Sequence, residues 1–169
     1  VHKGEPVVES MDIIKYLDEA FPSKPLLKPR ARDPMEVIEL TKGFFPAVAA
    51  CLKNTDPEKM PELVAAVESE VDKLDQLLKD TPGGYICGDE PTIADFSIAP
   101  KLYHASVGLR HFCDVVIYHP LSEFTRPSLE SYMARMFARP EFKAKGVRYS
   151  TETVIWGWKQ ARAAAQASA

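Results

Sequence analysis

The amino-acid sequence predicts a mostly α-helical protein: an all-helical bundle preceded by a short β-containing stub. Apolar residues recur at three- and four-residue steps through most of the chain. Pro and Gly gather in a few clusters that separate those runs. Two segments, Asp33-Pro34-Met35-Glu36 and Thr92-Ile93-Ala94-Asp95, carry side chains that start a helix: an oxygen-bearing cap and an acid three residues later.

Taken in order, Glu5-Pro6-Val7-Val8 reads as a short strand after a Lys3-Gly4 turn. From Ser10, a good N-cap, a helical period takes over through Ile13, Ile14, Leu17 and Phe21, and Pro22 stops it. The stretch 22–29 holds Pro22, Pro25 and Pro29 around Leu26 and Leu27, which is neither helix nor central strand. It reads as a linker pinned to a surface groove. Asp33 caps a helix with Pro34 at its first position, and Gly43 and Pro46 predict a kink or break within the run that continues to Leu52. A helix from about Met60-Pro61 carries the strongest apolar stripe of the chain, Leu63, Val64, Val67, Val71, Leu74, Leu77 and Leu78, and ends at Pro82-Gly83-Gly84. Another starts at Thr92 and runs toward Leu109. A further helix covers roughly Arg126 to Ala138, a short one follows Pro140, and the last spans Val154 to about Arg162, with the tail from Ala163 expected to fray.

The chain has 169 residues, 21 Lys and Arg against 24 Asp and Glu, 46% hydrophobic and 27% charged residues, the balance of an ordinary globular protein. A net charge of −3 argues against nucleic acid as the main partner, because phosphate binding needs a basic face. No apolar run approaches the ~20 residues of a membrane span. Cys51, Cys87 and Cys113 are widely spaced and make neither a Cys-x-x-Cys pair nor a zinc-ligand pattern, so no metal is expected and a reducing compartment is. Cys51, between Ala50 and Leu52, reads as buried filler. Cys87 has no adjacent base and no helix start, which is not the setting of an activated thiolate.

Several patterns now carry a resemblance. Pro6-Val7-Val8-Glu9-Ser10, leading into Ile13-Ile14-Lys15-Tyr16-Leu17-Asp18-Glu19 and Phe21-Pro22, resembles the end of the thioredoxin-like domain of glutathione transferases. The Thr92-x-x-Asp95 box is similar to the folding cap of the transferase C-terminal helical domain. Ala99-Pro100-Lys101-Leu102-Tyr103-His104, His111-Phe112, Met136-Phe137-Ala138-Arg139-Pro140-Glu141-Phe142 and Val154-Ile155-Trp156-Gly157-Trp158 look like the plant and algal dehydroascorbate reductases of that superfamily. The resemblance runs from Val7 to Trp158 and implies a division into residues 1–22, a C-terminal remnant of a thioredoxin-like glutathione-binding domain; 23–32, a linker; and 33–169, an all-helical transferase C-terminal-like domain.

It also implies a function: glutathione-dependent reduction of dehydroascorbate to ascorbate, with glutathione as co-substrate, no bound cofactor, no nucleic-acid or membrane partner, and a monomer in the cytoplasm or plastid stroma. Glu9 and Ser10 would hold the γ-glutamyl group of glutathione. The chemistry suits them, since a hydroxyl and N–H at a helix start receive a carboxylate and an acid meets an ammonium. Ser10 acting only as a helix cap is the competing reading. His104 and Trp158 would line the pocket where glutathione and dehydroascorbate meet; a hydrogen-bonded structural histidine is the alternative for His104. Trp156 and Trp158, two apart on a helix, point in different directions, so at least one belongs to the core. The resemblance also places a lysine shortly after the closing Gly-Trp; here Lys159 directly follows Trp158. Thr92 and Asp95 are structural. The family's nucleophile, a cysteine in a Cys-Pro-Phe motif, has no counterpart in these residues. The expectation is therefore a catalytic cysteine in a missing N-terminal segment and a chain inactive alone. Two alternatives stand beside it: a non-catalytic glutathione transferase-like interaction module, and an omega-like glutathione transferase.

Overall fold

The computed structural model describes residues 10–23, 25–118, 126–143 and 148–167. Among them the architecture is helical: α1 (Ser10–Ala20), α2 (Pro34–Leu40), α3 (Phe44–Lys53), a single 3-10 turn (Pro57–Lys59), α4 (Met60–Asp80), α5 (Ile93–Cys113), α6 (Pro127–Ala138), α7 (Pro140–Lys143) and α8 (Thr151–Ala167). The strand expected at 5–8 and Glu9 lie outside the described residues. Ser10 is the first described residue of α1, which ends at Ala20, ahead of Pro22.

The central element is α5, which packs against α2, α3, α6 and α8. Its apolar residues cover several sides at once, with Ile98, Ala99, Leu102, Ala105 and Leu109 all buried, because a helix surrounded by others needs no polar face. It extends to Cys113, one turn beyond the expected end, and Asp114 closes it in the left-handed conformation at φ 55°. Against α5 lies α3, through Phe44, Val48, Cys51 and Leu52, and beyond it α4, whose stripe Val67, Val71, Leu74 and Leu78 faces α3 and α6.

The break foreseen at Gly43 separates two helices. α2 stops at Leu40 and the Thr41 hydroxyl donates 2.8 Å back to the Val37 carbonyl. The chain then turns through Gly43, where an added Cβ would stand 3.1 Å from the Glu70 carboxylate of α4. Pro46 causes no kink because it falls in the first turn of α3, where its missing N–H costs nothing. Asp33 caps α2 as its sequence requires, accepting from the Met35 N–H at 2.7 Å. α6 starts without a cap from its own flank; Asp75 of α4 accepts its Leu129 N–H at 2.8 Å instead. Beside it the buried Arg126 guanidinium donates to Asp72 at 2.7 Å and to the Ile117 carbonyl at 3.1 Å.

The last helix corrects two expectations. α8 starts at Thr151 and reaches Ala167, so residues 163–167 of the tail are helical. The run Ala163-Ala164-Ala165 has the highest intrinsic helix propensity available, and Ala161 packs against the core just before it.

Candidate functional site

The folding cap comes first because it fixes where α5 begins. Asp95 is completely buried. Its Oδ2 accepts the Thr92 N–H at 2.8 Å and the Thr92 hydroxyl at 3.1 Å, while Oδ1 accepts the Ile86 N–H at 2.9 Å. One carboxylate thus closes the helix start and ties it to the incoming loop. Burial nevertheless pushes its carboxyl above the usual range, these hydrogen bonds only partly compensating. The same loop carries Cys87, fully buried, whose thiol desolvation pushes up to about 11.

The 22–32 segment holds α1 against this start. Asp18 of α1 accepts the Leu26 and Leu27 N–H groups, both at 2.7 Å. The Leu26 carbonyl then accepts the Ile93 N–H at 3.0 Å. Farther along, Arg32 donates through Nε to Thr81 at 2.8 Å, and Arg30 pairs with Glu90 at 2.6 Å. A chain of hydrogen bonds therefore runs from the last turn of α1 to the first turn of α5. Ile13 and Leu17 on α1, and Phe21 after it, remain exposed to solvent.

His104 and Trp158 do come together. Both line a cleft of about 420 Å³ between α5 and the start of α8, together with Tyr149, Thr153, Trp156 and Gly157. His104 is half-buried and meets Tyr103 and Tyr149 edge-on, with ring centres 6.0 Å apart in each case. Burial lowers its pKa below 6.5, so at neutral pH the imidazole is uncharged. Tyr149 is fixed through its backbone, whose carbonyl accepts the Tyr103 hydroxyl at 3.0 Å, and the Arg148 guanidinium lies 5.3 Å over the Tyr103 ring.

Trp158 belongs to both the wall and the core: it is 8% exposed, whereas Trp156 is 64% exposed. The two-residue spacing divides them as the helix geometry requires. Trp158 packs on Phe45 at 6.0 Å and lies against Gly108, and its buried indole N–H has no hydrogen-bond partner among the described residues. Lys159 points to solvent beside it. Tyr149 and Trp156 were missed as wall residues by sequence reasoning; Tyr149 sits in an irregular stretch with no periodicity, and Trp156 could be assigned to neither wall nor core. Ser10 stands at the start of α1, and Glu9 lies outside the described residues. Among the described residues no cluster of His, Cys, Asp or Glu is placed to hold a metal ion, and no helix is long and apolar enough to cross a membrane.

Comparison with known proteins agrees with this architecture. Residues 57–135 match the family model of the glutathione S-transferase C-terminal domain. The chain is 29% identical over 156 residues to glutathione S-transferase DHAR2 of Arabidopsis thaliana, covering 92% of this chain and 67% of that protein. It is 31% identical over 153 residues to the chloroplastic glutathione S-transferase DHAR3 of the same plant, covering 90% of this chain and 54% of that one. The crystal structure of Chlamydomonas reinhardtii dehydroascorbate reductase superposes with a TM-score of 0.71 at 28% identity, over 91% of this chain and 66% of that chain. A mango Tau class glutathione S-transferase shares the fold, with a TM-score of 0.70 at 20% identity over 95% of this chain and 74% of that one. The chain carries a glutathione S-transferase C-terminal domain at residues 57–135, and dehydroascorbate reductases of plants and an alga are among the proteins it is similar to. It spans from about half to two thirds of the length of these relatives.

Proposed function

We propose that the protein reduces dehydroascorbate to ascorbate at the expense of glutathione, and that this chain supplies the wall of the substrate pocket and part of the glutathione clamp. The observation that carries the reading is the cleft in which His104 and Trp158 meet. Its walls are aromatic rings and an uncharged imidazole, a surface that accepts a small, neutral, polar ring compound such as dehydroascorbate. Relatives named as dehydroascorbate reductases support the reading from a separate direction.

In this scheme the nucleophile is a thiolate that attacks dehydroascorbate, and glutathione then resolves the adduct. Cys87 does not fit that role, being fully buried with a raised pKa. Cys51 and Cys113 are not among the residues that line the cleft, so in this reading the nucleophile lies outside these residues, on a thioredoxin-like domain of which residues 1–22 are the end, joined through 23–32 to the helical domain 33–169. The uncovered Ile13, Leu17 and Phe21 are the face of α1 that such a domain would cover. Glu9 and Ser10 would bind the γ-glutamyl ammonium and carboxylate of glutathione. In this reading the protein would be a monomer of the cytoplasm or plastid stroma.

The test uses the complete protein, following ascorbate formation from dehydroascorbate and glutathione. His104→Phe and Trp158→Ala are expected to raise the KM for dehydroascorbate by roughly tenfold, the effect of losing about 1.4 kcal/mol of binding. Ser10→Ala should weaken glutathione binding by ~1–3 kcal/mol, as expected for a lost hydrogen bond to a charged group. Glutathione binding without turnover would favour the non-catalytic interaction module. Turnover of other glutathione-dependent substrates in preference to dehydroascorbate would favour an omega-like transferase.

A further inference from the structure

Cys51 and Cys113 are 62 residues apart in sequence and their sulfurs lie 3.9 Å apart. Cys51 belongs to the last turn of α3 and is buried; Cys113 ends α5 and is partly exposed. A third helix completes the arrangement. Arg162 of α8 binds the Leu52 carbonyl beside Cys51 and places its guanidinium 5.2 Å over the ring of Phe112, the neighbour of Cys113. Both thiols sit at helix C-termini, where the helix dipole opposes a thiolate. A hydrogen bond between the two sulfurs, in which either can be the donor, and the positive charge of Arg162 on α8 oppose that effect; the Cys51 thiol also reaches the Met60 sulfur at 3.8 Å. The Cys113 thiol is accordingly held below its usual range, and that of Cys51 is raised by the shared hydrogen bond and by burial. The pair is asymmetric, with an accessible nucleophile in front of a buried partner.

We propose that Cys51 and Cys113 form a reversible redox site that reacts with a small anionic disulfide such as glutathione disulfide and closes into an internal disulfide joining α3 to α5. The Cys113 thiolate attacks one sulfur of glutathione disulfide. Its S–S bond breaks, a mixed disulfide forms on Cys113, and one glutathione thiolate leaves and takes up a proton. The Cys51 thiol then loses its proton and attacks the Cys113 sulfur. The Cys51–Cys113 bond forms, and the second glutathione leaves as a thiol. Two protein thiols are oxidised by two electrons and one glutathione disulfide is reduced to two glutathiones. Closure needs the sulfurs to approach from 3.9 Å to the ~2.05 Å of a disulfide, a movement of side-chain size. Arg162 gives the site a positive charge toward the carboxylates of the incoming disulfide. None of Cys51, Cys113 and Arg162 lines the His104–Trp158 cleft, and the proposal stands whether or not the reductase reading does.

The whole chain is incubated with glutathione disulfide, alkylated at low pH and mapped by peptide mass spectrometry. Wild type should yield a Cys51–Cys113 disulfide with Cys87 still alkylated. Cys51→Ser should stop at a stable glutathione adduct on Cys113, and Cys51→Ala, which also removes the sulfur, should do the same. Cys113→Ser should take up no glutathione at Cys51. Arg162→Gln should slow the first step severalfold. A wild-type protein that accumulates the mixed disulfide without closing, or that reacts first at Cys87, overturns the proposal. So does a Cys113→Ser variant that is modified at Cys51 as fast as wild type is at Cys113. The wild-type map is decisive by itself even where a variant folds poorly.

Discussion

Trp158 of α8 lies directly on Gly108 of α5: a Cβ at Gly108 would stand 3.1 Å from the indole Cδ1 and Nε1, and 2.8 Å from Leu52 Cδ1. The helix conformation there is open to any residue, so glycine is required by the approach of three helices and not by the backbone. Alanine at this position gains up to ~1 kcal/mol of helix propensity, yet overpacking a filled core costs about 1–3 kcal/mol. The ring is rigid and Leu52 is fully buried, so neither yields cheaply. Gly108→Ala is expected to be destabilised by a net ~1–2 kcal/mol, with a changed tryptophan emission as Trp158 shifts. A urea titration followed by fluorescence measures both, and an alanine variant of undiminished stability would show that α8 is free to move away from α5.

The cap of α5 predicts an order of effects. Thr92→Ala removes one hydroxyl and should cost ~1 kcal/mol. Asp95→Ala removes the acceptor of three hydrogen bonds and leaves the Ile86 and Thr92 N–H groups buried without partners, which should cost roughly 2–4 kcal/mol. Equal losses in denaturant titration would mean that Asp95 acts only as a local cap and does not hold the Ile86 loop.

These two residues were legible in the sequence because a capping box is local. So was the stripe of α4, from Val67 to Leu78, whose period is set by one helix. Glycine and proline at 43 and 46 marked the break between α2 and α3 for the same reason. What could not be read depends on residues far apart in the chain. Asp75 caps a helix 54 residues away, and Cys51 finds Cys113 across 62. In the cleft, His104 and Trp158 were named through resemblance to a family, since neither spacing nor composition brings α5 to α8. The rest of the wall, Tyr149 above all, is positioned by its backbone bond to Tyr103, which has no sequence signature.

His104 predicts a pH dependence. Its folded-state pKa lies below the unfolded value near 6.5 because burial penalises the charged ring. Between the two values the unfolded chain binds more protons than the folded one, so stability rises with pH. The contribution is complete above the unfolded value and is lost as pH falls through the folded one. Wild type should therefore lose more thermal stability than His104→Gln between about pH 7.5 and pH 5, in the range where histidine titrates. Parallel melting curves for the two proteins would mean that His104 keeps its solvent contact and is not desolvated by Tyr103 and Tyr149.

Asp18 predicts what holds α1 in place. Its carboxylate takes both the Leu26 and Leu27 N–H groups, and Leu26 in turn accepts from Ile93 at the start of α5. The helix that begins at Ser10 is thus aligned with the bundle through one side chain and a turn rich in proline. Few apolar contacts assist it, since Ile13, Leu17 and Phe21 face solvent. Asp18→Asn keeps the size of the side chain but can offer only one carbonyl oxygen to two donors, so α1 should loosen locally at a cost of ~1–3 kcal/mol. Hydrogen exchange would report this as faster exchange confined to residues 10–27, with protection in α4 and α5 unchanged. Exchange that accelerates in α5 as well would show that α1 and the helical bundle open together, as one cooperative unit.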